Sequence, residues 1–201
     1  LGAKYFQNPP TRADLSSLQF DSEDIESLRA CAPGDCDLQL PAAAIQKFRS
    51  GVNWNSPNAR EQANQEARDA AFSLLQNYQK TGNQALGVYH DARNPVDVGA
   101  SFCTILTRAK DLPSYYPQFT EFLLRYPAAK PANTWDFFHW EIVKFGLKPT
   151  FRVNHVIFHQ PPAQPSAWVV ASKQLYASHY FQTALDLWFC VPGSRAGKPG
   201  Y

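Results

Sequence analysis

The spacing of apolar residues changes once along the chain, and this change constrains the fold more than any other feature. Before a Pro- and Ala-rich linker at 127–134, apolar side chains recur every three or four residues, which is typical of packed helices. After the linker they alternate with polar side chains, which is typical of strands. This order predicts an α+β fold, with N-terminal helices followed by a mostly antiparallel four-stranded sheet that the helices cover on one face.

The 201 residues are expected to form one combined domain with three parts. These are an extended arm at 1–20, a helical region at 21–130 and an antiparallel sheet region at 131–201. The strongest helix pattern opens at Ser56-Pro57, where Ser56 is expected to cap the free amides, and ends at Gly82. Its apolar stripe begins with small residues, which allow a neighbouring backbone to come close: Ala59, Ala63, Ala67, Ala70, Ala71, Leu74, Leu75 and Tyr78.

Four segments alternate with period two and predict strands at 135–145, 151–160, 167–181 and 183–191. The third strand is the most informative, because one of its faces mixes aromatic rings with hydroxyl and amide groups. Apolar walls with a few polar groups are typical of a ligand cavity. The candidate ligand-binding residues are Trp168, Gln174, Tyr176, Ser178 and Tyr180, together with His155 on the neighbouring strand. The alternative is a sheet face that is partly open to water.

The same strands allow a second interpretation, a metal-dependent or acid–base enzyme. His139 and Glu141 share a strand face, and His155 or His159 could meet them across the sheet. Two histidines and a carboxylate can bind zinc or iron, or act as general acid and base. A lone strand histidine is more often hydrogen-bonded in a half-buried layer, so no catalytic residue, metal ligand or cofactor is assigned.

Other chemical signatures are weak or missing. His90-Asp91 is expected in a cap or loop, since neither a nucleophile elbow nor a phosphate-binding Gly-rich loop occurs in the chain. Asp186 lies between apolar neighbours in the last strand, and a buried carboxylate needs a partner, for which Lys173 or a histidine is the natural candidate.

The four cysteines bear on the compartment. Cys31 and Cys36 flank a Pro33-Gly34 turn that brings their thiols together, which favours a disulfide over free thiols or a zinc site. Cys103 and Cys190 lie in apolar runs and are expected to be buried free thiols. The chain contains no methionine, which indicates a trimmed fragment or a mature chain after signal cleavage. A periplasmic or secreted protein is therefore expected.

The charge and hydropathy limit the partners. The net charge is +2 without a basic stripe, which argues against a nucleic-acid partner and a polybasic membrane anchor. No apolar stretch is long enough to span a bilayer, so no integral membrane segment is predicted. A hydrophobic small molecule remains the expected partner.

Three stretches resemble a group of uncharacterised exported bacterial proteins: Cys31-Ala-Pro-Gly-Asp-Cys36 with the following Leu-Gln-Leu-Pro, the segment 145–150, and the segment 173–187. That group offers no established activity. The strand-rich end is similar to START-type helix-grip lipid-binding domains, which implies a curved antiparallel sheet around an apolar cavity. Those domains close the cavity with a C-terminal helix, and no helix is predicted here after 191. Either an earlier helix fills the groove or the chain lacks the end of its fold.

Taken together, these features favour a non-enzymatic module that binds a hydrophobic or amphipathic small molecule such as a lipid. A hydrolase-type or metal-dependent enzyme that uses the strand histidines and Glu141 is the first alternative. A protein-interaction module is the second.

Overall fold

The computed structural model describes residues 2–144, 146, 148–195 and 198–200. Its main element is a five-stranded antiparallel sheet with the strand order β1-β4-β5-β6-β7. These strands are β1 Gly2–Tyr5, β4 Thr134–Lys144, β5 Pro149–His159, β6 Trp168–Ala177 and β7 Leu185–Cys190. The remaining strands form two short ribbons: β2 Val88–Tyr89 with β3 Val96–Asp97, and β8 Gly193–Arg195 with β9 Lys198–Gly200.

The helices precede the long strands and pack on one face of the main sheet, so the predicted α+β class is confirmed. They are α1 Ser22–Ala30, α2 Ala42–Gly51, α3 Ala59–Thr81, α4 Val98–Arg108, α5 Asp111–Tyr115 and α6 Pro117–Arg125, with short 3₁₀ helices at Arg12–Leu15 and Gly82–Leu86. In the part of the chain that the structure describes, no helix has the length and apolar character needed to cross a bilayer.

Four of the five sheet strands are those predicted, with shifted ends. Residue 145, the expected end of the first predicted strand, lies outside the described residues. The fifth strand comes from the predicted arm, because Gly2 pairs with Ile142 and Tyr5 with His139. The chain then buries Leu15, Leu18 and Phe20 in the core. Residues 2–20 are therefore an edge strand and a core segment rather than a separate arm.

Helix α3 begins three residues later than the expected cap. The Ser56 carbonyl accepts a hydrogen bond from the Ala59 amide at 3.1 Å, which makes a tight turn before the helix, and Asn58 takes the N-cap position. The other end is as predicted. Gly82 has a φ of +59°, and a Cβ there would lie 1.8 Å from the carbonyl oxygen of Tyr126. Only glycine fits this position.

The two sides of the sheet differ, and a β-bulge changes which residues each side carries. The helices cover one side, called the helix face, and the other is called the outer face. Val153 pairs with Tyr176 and Asn154 with Gln174, so Leu175 is an extra residue in β6. The bulge puts Tyr176 on the helix face and leaves Gln174 on the outer face. The prediction that they share one face is wrong, because strict alternation fails at a bulge.

The core has two parts on the helix face. One packs α1, α2 and α3 against Phe138, Trp140 and Val153, and the other packs α4, α5 and α6 against the strands nearer β7. Tyr126, just after α6, contacts both parts and stacks on Tyr78 of α3 at 4.8 Å between ring centroids.

Candidate functional site

An apolar cavity of about 300 Å³ lies between α2, α3 and the part of the sheet that carries Phe151 and Tyr176. Phe48 of α2, Ala67 and Ala71 of α3, and Phe151 and Tyr176 of the sheet contribute to its walls. Its mouth is marked by lining residues that are exposed, namely Ala43, Lys47, Ser73 and Asn77. The volume is at the lower end of the range for small-molecule sites.

The small residues of α3 explain why the space exists. Ala67, Ala70 and Ala71 line the cavity on the stripe that faces the sheet, where longer side chains would fill it. The sequence pattern identified this stripe but interpreted it as close backbone contact. In the structure the space above the alanines is left open between two helices instead.

The wall opposite α3 is held by the disulfide loop. The Sγ atoms of Cys31 and Cys36 lie at bonding distance, 1.98 Å, so the predicted disulfide pair is confirmed. Within the loop, the Gly34 amide donates to the His90 carbonyl at 2.7 Å and the Cys36 amide to the Asp91 carbonyl at 2.9 Å. These bonds attach the loop to the segment after β2.

The segment that follows the loop supplies lining residues directly. Leu38 and Leu40 line the cavity, and the Leu40 carbonyl accepts a hydrogen bond from the His90 amide at 2.8 Å. Tyr89 of β2 lines the same wall. His90-Asp91 thus lies in a loop that supports the cavity wall, and burial raises the pKa of Asp91.

Two tyrosines form the part of the wall next to the sheet. The rings of Tyr89 and Tyr176 meet edge to face, with 6.2 Å between centroids. Burial raises the pKa of both phenols well above the usual value, and the neighbouring Tyr89 adds to this effect at Tyr176. Both therefore stay neutral at physiological pH and act as apolar walls with a polar tip.

The six candidate ligand-binding residues do not come together. Tyr176 lines the cavity, while His155 is buried elsewhere on the helix face. Trp168 and Gln174 lie on the outer face, where Trp168 packs on Trp135 at 5.6 Å between ring centroids. The remaining two candidates, Ser178 and Tyr180, come directly after β6 in the sequence. Ser178 Oγ accepts from the Phe151 amide at 3.0 Å, and the hydroxyl of Tyr180 accepts from the Lys148 amide at 2.8 Å.

The candidate enzyme residues are also divided between the two faces. His139 and Glu141 lie on the outer face, where Asn154 Nδ2 donates to Glu141 Oε1 at 3.1 Å. His155 and His159 lie on the helix face, so they cannot meet that pair through the sheet. Among the described residues, no three His, Cys, Asp or Glu side chains are grouped as metal ligands would be.

A buried polar chain, which sequence reasoning missed, crosses the helix face between the two parts of the core. Lys173 Nζ donates to the Tyr78 hydroxyl oxygen at 3.1 Å and also contacts Asn83 Oδ1. His155 Nδ1 lies 3.2 Å from the Tyr78 hydroxyl, and His155 Nε2 lies 3.0 Å from Asp136 Oδ2. Since a carboxylate only accepts, Nε2 carries the proton and Nδ1 accepts from Tyr78.

Burial sets the protonation states of the side chains in this hydrogen-bonded chain. It lowers the pKa of Lys173 to about 7 and that of His155 to about 4, although Asp136 opposes the shift at His155. Burial alone would raise the pKa of Asp136, but hydrogen bonds from His155 and Lys130 lower it to about 2. None of the four residues of this hydrogen-bonded chain, Lys173, Tyr78, His155 and Asp136, lines the cavity. Their arrangement supports a structural role.

Three further sequence expectations are corrected. The Asp186 side chain is 54% exposed and lies 3.9 Å from Arg152 Nη2, so it is not a buried partner of Lys173. Cys103 and Cys190 are both exposed. Cys103 follows buried Phe102 on a helix and therefore points about a quarter turn away from the core, and Cys190 is at the end of edge strand β7.

No protein-family model matches the chain, and neither a curated protein nor a solved structure is similar to it. The function must therefore be argued from the chain's own chemistry.

Proposed function

We propose that the protein binds an apolar small molecule in the cavity between α2 and α3. The observation that carries this proposal is a cavity of about 300 Å³ whose lining, in the described part of the chain, consists of 21 residues with only one charged side chain. A ligand that fills an apolar cavity removes its own apolar surface and that of the cavity walls from water. Each Å² of apolar surface buried in this way contributes about 25 cal/mol to binding. The START-type resemblance implies the same class of ligand.

The walls support binding without a large rearrangement. Helix α3 ends at a glycine fixed against Tyr126, and the opposite wall is tied by the disulfide loop. A preformed site loses less conformational entropy when it binds a ligand. Because the Cys31–Cys36 pair would persist in an oxidising compartment, we also propose a periplasmic or secreted location.

The test is a titration with a fluorophore that becomes bright in apolar surroundings. The expected dissociation constant is micromolar, which corresponds to about 8 kcal/mol. In Ala70→Phe the new ring enters the cavity, so the affinity should fall at least tenfold. Ala100→Phe makes the same change on the exposed side of α4 and should bind like the parent chain.

Thermal melts of both variants establish that they are folded. Equal fluorophore binding by Ala70→Phe, Ala100→Phe and the parent chain would contradict the proposal, because the dye would then be bound elsewhere.

A second candidate function is protein interaction, favoured by the outer face. Trp135 is 54% exposed and Trp188 is 49% exposed on that face. Large exposed aromatic side chains are enriched at protein interfaces. Sedimentation of the parent chain and of Trp135→Ser over a range of concentrations tests self-association, the simplest form of this function. If the parent chain stayed monomeric at high concentration, self-association through this face would be ruled out.

A further inference from the structure

We infer that the ligand is a single-chain amphiphile with an anionic head group, which Lys47 binds at the mouth of the cavity. This inference rests on the proposed function and names the class of ligand for the same site.

The charge at the cavity is the first support. Among the described residues that line the cavity, Lys47 is the only charged one, and none is acidic. Within the described residues, no ion pair involves Lys47. An apolar space with one uncompensated cation at its opening is complementary to a ligand with an apolar chain and a negative end.

Helix α2 adds a second positive contribution. Ala43, in the first turn of the helix, and Lys47, one turn later, both line the cavity. The first turn of α2 carries no acidic side chain, and its N-cap Pro41 provides no side-chain hydrogen bond. The positive end of the helix dipole and the Lys47 ammonium therefore lie on the same side of the mouth.

The size of the cavity sets the length of the chain. With roughly 30 Å³ for each water-sized group, a volume of about 300 Å³ corresponds to about ten such groups. The described wall residues include no second charge, which a longer polar ligand would need. A medium-length acyl chain with a carboxylate at the mouth satisfies both the volume and the charge.

The experiment uses three probes with the same ten-carbon chain and different heads: decanoate, decanol and decyltrimethylammonium. Their affinities are measured by displacement of the fluorophore, below the concentrations at which the probes aggregate. Decanoate should bind most tightly and decyltrimethylammonium most weakly. Lys47→Gln should weaken decanoate binding by up to about fivefold, the upper end for one partly exposed ion pair, and leave decanol binding unchanged.

Lys110→Gln is the matched control, since it removes the same charge from an exposed residue that does not line this cavity. It should leave all three affinities unchanged. Lys47→Glu should reverse the order, so that the cationic probe binds more tightly than decanoate.

The outcomes separate this inference from the proposed function. Equal binding of decanoate and decanol, or equal loss of decanoate affinity in Lys47→Gln and Lys110→Gln, overturns the inference and leaves an apolar site in place. Absence of binding by all three chains and by the fluorophore overturns the proposed function, and the inference with it.

Discussion

The middle and the C-terminal end of helix α3 face the sheet in different ways. Near its middle, Ala67 and Ala71 leave a cavity above Phe151 and Tyr176. About two turns later, Tyr78 is completely buried against the sheet and belongs to the hydrogen-bonded chain with Lys173 and His155. The middle of the helix is apolar and incompletely packed, whereas its C-terminal end is polar and tightly packed.

The difference shows which contacts stabilise the fold and which are available for a ligand. An apolar void loses dispersion contacts, and the fold tolerates it at modest cost. A buried lysine and histidine need every hydrogen bond that surrounds them, so they leave no room for variation. We therefore expect substitutions at Tyr78 to affect stability and substitutions at the alanines to affect binding.

The largest effect is expected for Tyr78→Ala. The change removes a ring that stacks on Tyr126 and contacts Phe138, and it leaves the Lys173 and His155 nitrogens without their shared partner. The free energy of unfolding should fall by about 3–5 kcal/mol. Urea denaturation measures it.

Tyr78→Phe is the matched control, because it keeps the ring and removes only the hydroxyl. Its cost should be smaller, about 1–3 kcal/mol. If Tyr78→Ala were no more destabilising than Tyr78→Phe, packing around this ring would contribute little, and the contrast between the middle and the C-terminal end of α3 would be lost.

The general fold could be predicted from the sequence because periodicity reports the surroundings of each element. The long strands and the helix that ends at Gly82 follow from spacing and from glycine and proline positions. The participation of residues 2–5 in the sheet could not be predicted, because a four-residue strand is too short to show alternation. Pairing with β4 is a long-range interaction that local pattern does not encode.

The site was harder to predict, for two physical reasons. The extra residue Leu175 changes the phase of β6, and no sequence signal marks a bulge at a leucine. The cavity is defined by missing side-chain volume, which depends on how far apart α2 and α3 are held. The same limitation hid the buried chain, since the pairing of His155 with Lys173 depends on strand register.

The next effect concerns pH. In the folded protein burial lowers the pKa of Lys173 to about 7, from an ordinary value of 10.5. Between these values the unfolded chain binds a proton that the folded chain does not, so stability rises as the pH increases from 7 to 10. Lys173→Met removes this contribution. The stability difference between the parent chain and Lys173→Met should therefore change with pH in this window.

Denaturation curves at pH 7, 8, 9 and 10 test this expectation, since each unit of pH contributes up to about 1.4 kcal/mol. Parallel stability profiles for the two chains would mean that Lys173 remains charged in the folded state, with its hydrogen bonds to Tyr78, Asn83 and Leu123 outweighing the cost of burial.

A smaller effect is expected when the disulfide is removed. Cys31→Ser with Cys36→Ser releases a short loop, which should lower the free energy of unfolding by roughly 2 kcal/mol. Because the loop holds the wall that carries Leu38 and Leu40, fluorophore affinity should fall as well. Cys103→Ser with Cys190→Ser is the control, since both are exposed and should change neither property. Unchanged affinity in the first variant would show that the wall is held without the disulfide.

The smallest effect is expected for Ala71→Leu, which compares open and filled space directly. Three added carbon atoms enter the cavity, so the gain from burying them should balance any local strain, and stability should change by less than about 1 kcal/mol. The same substitution at Ala171, which is fully buried in the part of the core under α4 and α6, forces atoms into occupied space and should cost about 1–3 kcal/mol. Thermal and urea denaturation of the two variants measure the difference. If Ala71→Leu were as destabilising as Ala171→Leu, the space above α3 would not be available to an added side chain, and a ligand of similar size could not occupy it without moving the helix.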